Sequence, residues 1–139
     1  LPFLSNPILI IIISYVFAKL GTGLTESSGV YSFPSTGHYL IQFIAFLSNS
    51  NAEERFCKAF IEVTEDNSSF NSANDTRTSL AGGSGQRNGS IHCSHVFDVT
   101  NTTNDKFKVG VDHSDSNTVV HGDSNTNETY IIVTKLAET

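Results

Sequence analysis

The stretch that decides the fold is Gly29 to Leu47, GVYSFPSTGHYLIQFIAFL. A short apolar segment leads into a turn at Pro34 to Gly37, and a long alternating segment follows. Alternate positions from Tyr39 to Leu47 are aromatic or aliphatic, which is the period-two pattern of a β-strand with one face in a core. The intervening positions are almost as apolar and include Leu40, Ile44 and Phe46. This strand is therefore predicted to be covered on both faces.

Composition indicates one all-β domain. The chain has 139 residues, of which 38% are hydrophobic and only 16% charged, and Asn, Ser and Thr supply the remaining polarity. These three residues favour turns and strand edges over helix interiors. The net charge is −6 and the eight Lys and Arg form no basic run, so no nucleic-acid partner is predicted. No apolar stretch reaches about 18 residues, so no membrane span is predicted either.

Short strands separated by turn residues continue to the end of the chain. Alternation predicts strands at 55–64, 90–99 and 106–111, a weak edge strand at 70–80, and an apolar last strand at 130–136. Eight to ten such strands predict a two-sheet antiparallel jelly-roll sandwich. The predicted core residues are Tyr39, Ile41, Phe43, Ile61, Val63, Phe97, Val99, Phe107, Val109 and Val111.

The first 20 residues form a separate apolar segment, ahead of a jelly-roll domain at 21–139. Ile8 to Ile13 is a run of six apolar residues, which indicates a strand buried on both faces. Two interpretations remain open at this point: a first strand inside the domain's own core, or a strand that packs against or inserts into a neighbouring subunit. The segment lacks a basic start and a small-residue cleavage pattern before Gly21, so it is not predicted to be a signal peptide.

The sequence carries no motif for catalysis or cofactor binding. It has no nucleophile motif and no paired catalytic carboxylates, and the glycine-rich stretch Ala81 to Gly89 lacks the Lys-Ser/Thr of a phosphate-binding loop. The protein is therefore predicted to be non-enzymatic and to bind no cofactor.

Two groups of side chains could be considered as metal ligands. His92 and His95 flank Cys93, but in a strand they would point to opposite faces. A second group on adjoining loops could hold Ca²⁺ or form a solvated acidic rim, and it consists of Asp112, Asp115, Asp123, His113 and His121. The rim is the interpretation that the sequence favours, so no metal site is predicted.

At this point the sequence resembles a known family. The pattern G-x-Y-x-F-P-x-x-G-x-Y-x-I-x-F at 29–43 resembles the opening of the jelly roll of the tumour-necrosis-factor and complement-head type. The stretches FDVTNT at 97–102 and KFKV at 106–109 are similar to that family's later strand pair, and NETYIIVTKL at 127–136 is similar to its last strand. The nearest resemblance is to modules in structural proteins of marine bacteriophages, especially those that infect cyanobacteria. It covers about Gly21 to Thr139.

The resemblance implies a ten-stranded sandwich that assembles as a compact trimer, with side chains of one sheet meeting at the threefold axis. A second apolar face on some strands is what such an interface needs. The expected interface residues are Ile8, Ile10, Ile12, Leu40, Ile44, Phe46, Phe56, Phe60, Ile131 and Val133. The family also places Cys57 and Cys93 in different sheets, where they would either form a disulfide across the core or remain two buried thiols.

The function expected from this resemblance is that of a virion structural protein, either a capsid decoration or the host-binding knob of a fibre. Its partners would be its own copies, other virion proteins, and a host-surface glycan or protein bound by loops 48–54, 81–89 and 112–118. It would act at the virion surface or outside the cell. Two alternatives are a filament subunit that donates its Ile-rich strand to the next copy, and a secreted complement-head-like module. The last alternative would predict sugars on five sequons, at Asn67, Asn74, Asn88, Asn101 and Asn127.

Overall fold

The computed structural model describes residues 22–50, 53–123 and 125–139, together with the backbone of 8–12 and 15–19. No helix in this part of the chain has the length and hydropathy needed to cross a bilayer. The strands are β1 (Ile8–Ile12), β2 (Tyr15–Lys19), β3 (Thr25–Ser27), β4 (Val30–Ser32), β5 (Gly37–Ser50), β6 (Glu54–Thr64), β7 (Asn71–Leu80), β8 (Gln86–Val99), β9 (Lys106–His113), β10 (Thr118–His121) and β11 (Tyr130–Ala137).

The first sheet is built around β5. Its 14 residues pair with β8 along their whole length, from Gly37 opposite Val99 to Ser50 opposite Gln86. On its other edge β5 pairs with β11 and then, nearer its end, with β10. The sheet continues from β11 to β1 and from β1 to β2, all antiparallel. The N-terminal Ile-rich strand therefore pairs with β11 of its own chain.

The second sheet has the order β3-β4-β9-β6-β7 and is also antiparallel. The chain crosses between the sheets at the β2–β3, β4–β5, β5–β6, β7–β8, β8–β9 and β9–β10 connections. Repeated crossing of this kind wraps the strands into a double-sheet jelly roll. The structure thus confirms the predicted all-β fold with two antiparallel sheets.

The core lies between the two sheets. Seven of the predicted core residues are buried there, namely Tyr39, Ile41, Phe43, Ile61, Phe97, Val99 and Phe107. The other three, Val63, Val109 and Val111, are partly buried and pack against this core. At one end Phe33 lies among the rings of Tyr39, Phe97 and Phe107, with centroid separations of 4.6, 5.8 and 5.4 Å. This aromatic cluster joins the two sheets, because β5 and β8 belong to the first and β9 to the second.

Two glycines of the fold-deciding stretch adopt backbone conformations that other residues rarely take. Ser28 and Gly29 both have positive φ, of 52° and 79°, and form the two-residue turn between β3 and β4. This is the type I′ geometry that fits the twist of a hairpin. Gly37 has φ of 140°, and a Cβ there would overlap with Lys135 Cε and lie 2.5 Å from the Ala137 carbonyl oxygen.

We expect Gly37→Ala to lower the free energy of unfolding by about 3 kcal/mol, because backbone strain is added to a clash with main-chain atoms. Gly29→Ala is the matched control, since nothing lies within 4 Å of its Cβ position and only the positive φ is unfavourable. That change should cost about 1 kcal/mol. Urea denaturation of both variants measures the difference. Equal decreases in the free energy of unfolding for Gly37→Ala and Gly29→Ala would contradict the close approach of β11 to Gly37.

Candidate assembly surface

The outward face of the first sheet carries a row of half-buried apolar side chains. On β5 these side chains alternate with the buried core positions, as expected for a strand. Cross-strand pairing places Leu40 beside Val96 of β8, and Gln42 beside Ile132 of β11. At the far end of the row, Val119 pairs with Ser48. We call this set the outer patch, and it consists of Leu40, Ile44, Phe46, Val96, Val119 and Ile132.

Val96 and Val119 are the most exposed members of the outer patch. Their side chains are 53% and 50% exposed, and they are the two most exposed large apolar residues in the described part of the chain. They lie on opposite sides of β5, so the patch spans at least three strands of the sheet. Contiguous exposed apolar surface with a polar rim is a feature of protein contact sites.

The same face is poor in charge. The outward positions of β5, β8, β10 and β11 carry only one ion pair, between His38 Nε2 and Asp98 Oδ1 at 3.6 Å, at the end of the sheet. The remaining outward polar residues on β8 are uncharged or histidine, namely Gln86, Asn88, Ser90, His92 and Ser94. No Lys, Arg or Glu occurs at the outward positions of these four described strands. Identical copies of such a face can meet without like-charge repulsion.

The outward face of the second sheet is very different, because its aromatic rings are covered by the chain's own cations. Lys58 Nζ lies 2.8 Å from an Asp112 carboxylate oxygen and 5.1 Å from the centre of the Phe60 ring. Arg77 lies 5.5 Å from the centre of the Phe56 ring. Lys108 and Glu62 form a further ion pair, and Lys108 also lies over Phe70. This face carries many solvated charges. The aliphatic parts of the lysine and arginine side chains, together with their cationic groups, cover the aromatic rings.

Phe56 and Phe60 do not share a sheet with Leu40, Ile44 and Phe46, with which they were expected to form one interface. Both residues lie on β6, so they belong to the second sheet and face away from the outer patch. Phe60 also lies directly over Gly110, which leaves room for the ring because it has no side chain. The alternation of β6 correctly indicated two partly apolar faces, but sequence alone could not tell which sheet the strand joins.

The structure corrects the expected interface at Ile131 and Val133. They are 0% and 2% exposed and lie in the core, opposite Phe43 and Ile41 in the strand register. Both faces of β11 are apolar, so the sequence pattern does not distinguish its outward side, and Ile132 is the residue that faces outward. Leu40, Ile44 and Phe46 do lie on the outward face of the first sheet. The side chains of Ile8, Ile10 and Ile12 lie outside the described part of the structure.

Three loops meet at one end of the sandwich. Ser50 pairs with Gln86, Asn49 with Thr118, and Glu54 with Leu80, so the β5–β6, β7–β8 and β9–β10 connections lie at the same end. These are the loops that were expected to bind a host-surface glycan or protein. We refer to this end as the loop end. Residues 51 and 52 of the first loop lie outside the described residues.

A buried carboxylate holds the loop end together. Glu54 is 0% exposed, and its Oε1 accepts hydrogen bonds from the Phe56 and Ser114 amides at 3.0 and 3.1 Å and from the Ser114 hydroxyl at 2.5 Å. Its Oε2 accepts from the Asp115 amide at 3.0 Å and from the Thr118 hydroxyl at 2.5 Å. Five donors therefore converge on one side chain, and we call this arrangement the Glu54 clasp. It ties the β9–β10 loop to the start of β6.

Burial acts to raise the pKa of Glu54, but the hydrogen bonds from Ser114, Thr118, Asp115 and Phe56 outweigh it and lower the pKa to about 2. The carboxylate is therefore charged throughout the neutral and mildly acidic range. A group with all its acceptor positions filled is a structural anchor, and it has no free lone pair for a substrate or a metal. The sequence had placed Glu54 in a polar loop, and nothing in the local pattern signals its burial.

The candidate metal ligands do not form a site. In the described residues no group of three or more His, Cys, Asp or Glu side chains is arranged to hold a metal. Asp112 pairs with Lys58, and Asp123 accepts a hydrogen bond from the Asn125 amide. Asp115 accepts from Asn117, and these hydrogen bonds are the main cause that lowers its pKa.

The two cysteines are buried free thiols, one in each sheet. Burial is the main cause that raises the pKa of each to about 11. Both thiols therefore stay protonated at neutral pH, which makes them poor nucleophiles. Of the two alternatives left open by the sequence, the structure contains the pair of thiols.

Comparison with known proteins gives no assignment. No protein-family model matches the chain, and no curated protein matches it significantly.

Proposed function

We propose that this chain is a non-enzymatic virion structural module that assembles as a closed homotrimer through the outer patch. In this proposal it serves as a capsid decoration or as the knob at the tip of a fibre. The resemblance of segments 29–43, 97–109 and 127–136 to jelly-roll modules of phage structural proteins supports the virion role. The two-sheet sandwich is the architecture that this resemblance implies.

The observation that carries the assembly proposal is the contrast between the two outward faces. The second sheet covers its rings with Lys58, Arg77 and Lys108, as a surface that stays in water does. The first sheet leaves Val96 and Val119 half exposed beside half-buried apolar neighbours, with one ion pair at its margin. A face that carries an apolar patch and almost no charge suits contact with further copies of itself, even though each chain carries a net charge of −6.

The loop end is the proposed recognition surface of the trimer. The β7–β8 and β9–β10 loops are polar and mostly exposed, and the Glu54 clasp fixes the second of them against β6. Because the three loops lie at one end of the strands, three copies around an axis would present them together. A repeated set of loops raises the avidity for a repeated host-surface glycan or protein without any new contact in each copy.

Val96→Asp tests the proposed interface. Val96 is an exposed residue, so the change should alter the stability of a single chain by less than about 1 kcal/mol. In a trimer it would bring three new carboxylates into an apolar contact, and like charges placed together there cost several kcal/mol, roughly enough to prevent assembly. We therefore expect light scattering to show the variant as a folded monomer at a concentration where the unmodified chain is a trimer.

Phe56→Asp is the matched control, because Phe56 is 36% exposed on the opposite face and lies beside Arg77. This variant should keep the mass of the unmodified chain. If Phe56→Asp dissociates the assembly and Val96→Asp does not, the interface has been placed on the wrong sheet.

The filament alternative would require β1 to leave its own chain. β1 pairs with β11 of its own chain over five residues, so donation of this strand to another copy would require that pairing to open. The secreted alternative would need sugars on asparagines that already make contacts, such as Asn74, whose side-chain amide donates to the Ser94 carbonyl. The mass of the assembled particle separates the filament alternative from the trimer, and mass spectrometry for attached glycans separates the secreted alternative.

A further inference from the structure

We propose that the trimer interface is sensitive to pH, with His92 and His121 as the groups that weaken it when they are protonated. This inference rests on the proposed function, because it concerns the same outer patch. Histidine is the side-chain type whose charge changes between pH 5 and 8. Three of the five histidines, His38, His92 and His121, occupy outward positions of the first sheet.

His92 and His121 flank the most apolar segment of β5. His92 pairs with Ile44 from the β8 side, and His121 pairs with Phe46 from the β10 side. The His121 ring lies 5.1 Å from the Phe46 ring, and its Nε2 is 2.5 Å from the Ser48 hydroxyl. Both imidazoles therefore border the outer patch near its centre, where an assembled neighbour would exclude water.

No carboxylate of the described outward face is placed to neutralise these two histidines. Asp98 is the only acidic residue at an outward position of β5, β8, β10 or β11, and it pairs with His38 six positions along β8 from His92. β7 packs near β8 and carries Asp75 and Arg77, which pair with each other at 3.7 Å.

The loops that flank the patch carry the remaining carboxylates. On the β9–β10 loop, Asp115 accepts hydrogen bonds from Asn49 and Asn117. The loop after β10 carries Asp123, which accepts the Asn125 amide, and Glu128. β11 contributes Tyr130 beside Ile44, and β2 contributes Lys19 in its sequence. None of these carboxylates forms an ion pair with His92 or His121 in the described part of the chain, so a proton on either imidazole would lack an ion-pair partner, and enclosing such a charge is strongly unfavourable.

A second effect of acid has the opposite sign and is weaker. Protonating all five histidines reduces the net charge of −6 and so lessens the repulsion between whole copies. That repulsion acts through water and is screened beyond about 8 Å at physiological ionic strength. Charges enclosed in the contact are screened much less, so the local effect decides the direction. The trimer should be favoured at pH 8 and weakened at pH 5.

Sedimentation of the full chain between pH 8 and pH 5 tests this inference. If each of three copies must release two protons to assemble, the logarithm of the association constant changes by up to about six for each pH unit in the acidic limit. We expect trimer at pH 8 and mostly monomer at pH 5 at micromolar concentration. Circular dichroism should show the monomer still folded at pH 5, because the Glu54 carboxylate remains charged there.

The double variant His92→Gln/His121→Gln should remain trimeric at both pH values, since glutamine keeps a polar side chain that cannot be protonated. His113→Gln is the control, because His113 is exposed on the second sheet and its loss should leave the pH response unchanged. A chain that is trimeric at both pH values overturns the inference and leaves the proposed function standing. Acid dissociation that persists in the double variant also overturns it. A chain that is monomeric at both pH values overturns the proposed function itself.

Discussion

Replacing Glu54 with leucine should lower the free energy of unfolding by about 4 kcal/mol. The substitution keeps a buried side chain at this position but removes the acceptor for the amides of Phe56, Ser114 and Asp115 and for the hydroxyls of Ser114 and Thr118. Donors left buried without a partner cost far more than the net value of the bonds that are lost. Denaturation at pH 7 and fixed protein concentration, followed by circular dichroism because the chain has no Trp, measures the change.

The neighbouring residue provides the control. The Glu53 side chain is 56% exposed and its carboxylate faces Arg55 at 3.4 Å, so Glu53→Leu should change stability by less than about 0.5 kcal/mol. We also expect protease cleavage within the β9–β10 loop to accelerate in Glu54→Leu and not in Glu53→Leu, since only the former releases that loop. Equal stability of the two variants would show that the clasp contributes nothing.

The Glu54 clasp also predicts a specific acid dependence. The pKa of Glu54 is about 2 in the folded chain, below its ordinary value of 4.5. Because the folded-state value is depressed, the stabilisation is fully present above pH 4.5 and is lost as the pH falls towards 2. Between pH 4.5 and pH 2, the free energy of unfolding of the unmodified chain should therefore fall by roughly 3 kcal/mol more than that of Glu54→Leu. The comparison between the two chains removes the contribution of other carboxyl groups, including Asp66, whose pKa is lowered by hydrogen bonds from the Ser69 and Ser68 amides.

Phe33→Ala should be comparably damaging, with a loss of about 4 kcal/mol. Phe33 is 4% exposed and contacts three rings, from Tyr39, Phe97 and Phe107. Its removal would leave a cavity that these rings cannot close, because each is held in its own strand and Tyr39 donates its hydroxyl to the Ser35 carbonyl at 3.0 Å. Urea denaturation gives the loss directly.

Two further substitutions provide references for the loss of stability in Phe33→Ala. Phe33→Leu should lower the free energy of unfolding by about half as much as Phe33→Ala, since leucine fills part of the same cavity. Phe56→Ala removes a ring of the same size from the outward face of the second sheet, and it should cost only about 1 kcal/mol. If the two alanine variants are equally stable, Phe33 does not join the sheets as described.

The strands that could be predicted from the sequence are those in which side chains alternate. β5, β6, β8 and β9 were each placed by alternating apolar residues, and the inward positions of these strands form the core. The ends of β5 and β8 cannot be predicted from the pattern, because Ser48 to Ser50 and Gln86 to Gly89 are polar or glycine and their composition is typical of loops. They extend the strands because each pairs with the other through main-chain hydrogen bonds, which do not depend on apolar side chains. β3 was missed for a similar reason, since Thr25 to Ser27 carries only polar residues.

The candidate surface was harder to predict than the fold. Alternation shows that a strand has two apolar faces, but the sheet that each strand joins depends on pairings between distant parts of the chain. The pattern therefore cannot show that Phe56 and Phe60 lie on a different sheet from Leu40, Ile44 and Phe46, which face outward from β5. The Glu54 clasp had no local signal either, because its donors at 114–118 are about sixty residues away along the chain.

The proposed assembly is tested most directly by the mass of the full, unmodified chain in solution at pH 8. We expect a single species of about 45 kDa, which is three times the 15.1 kDa of one chain. A discrete trimer would support contact through the charge-poor face of the first sheet. A species of 15.1 kDa at all accessible concentrations would contradict the proposal, and so would an open series of polymers, which would point instead to exchange of β1 between copies.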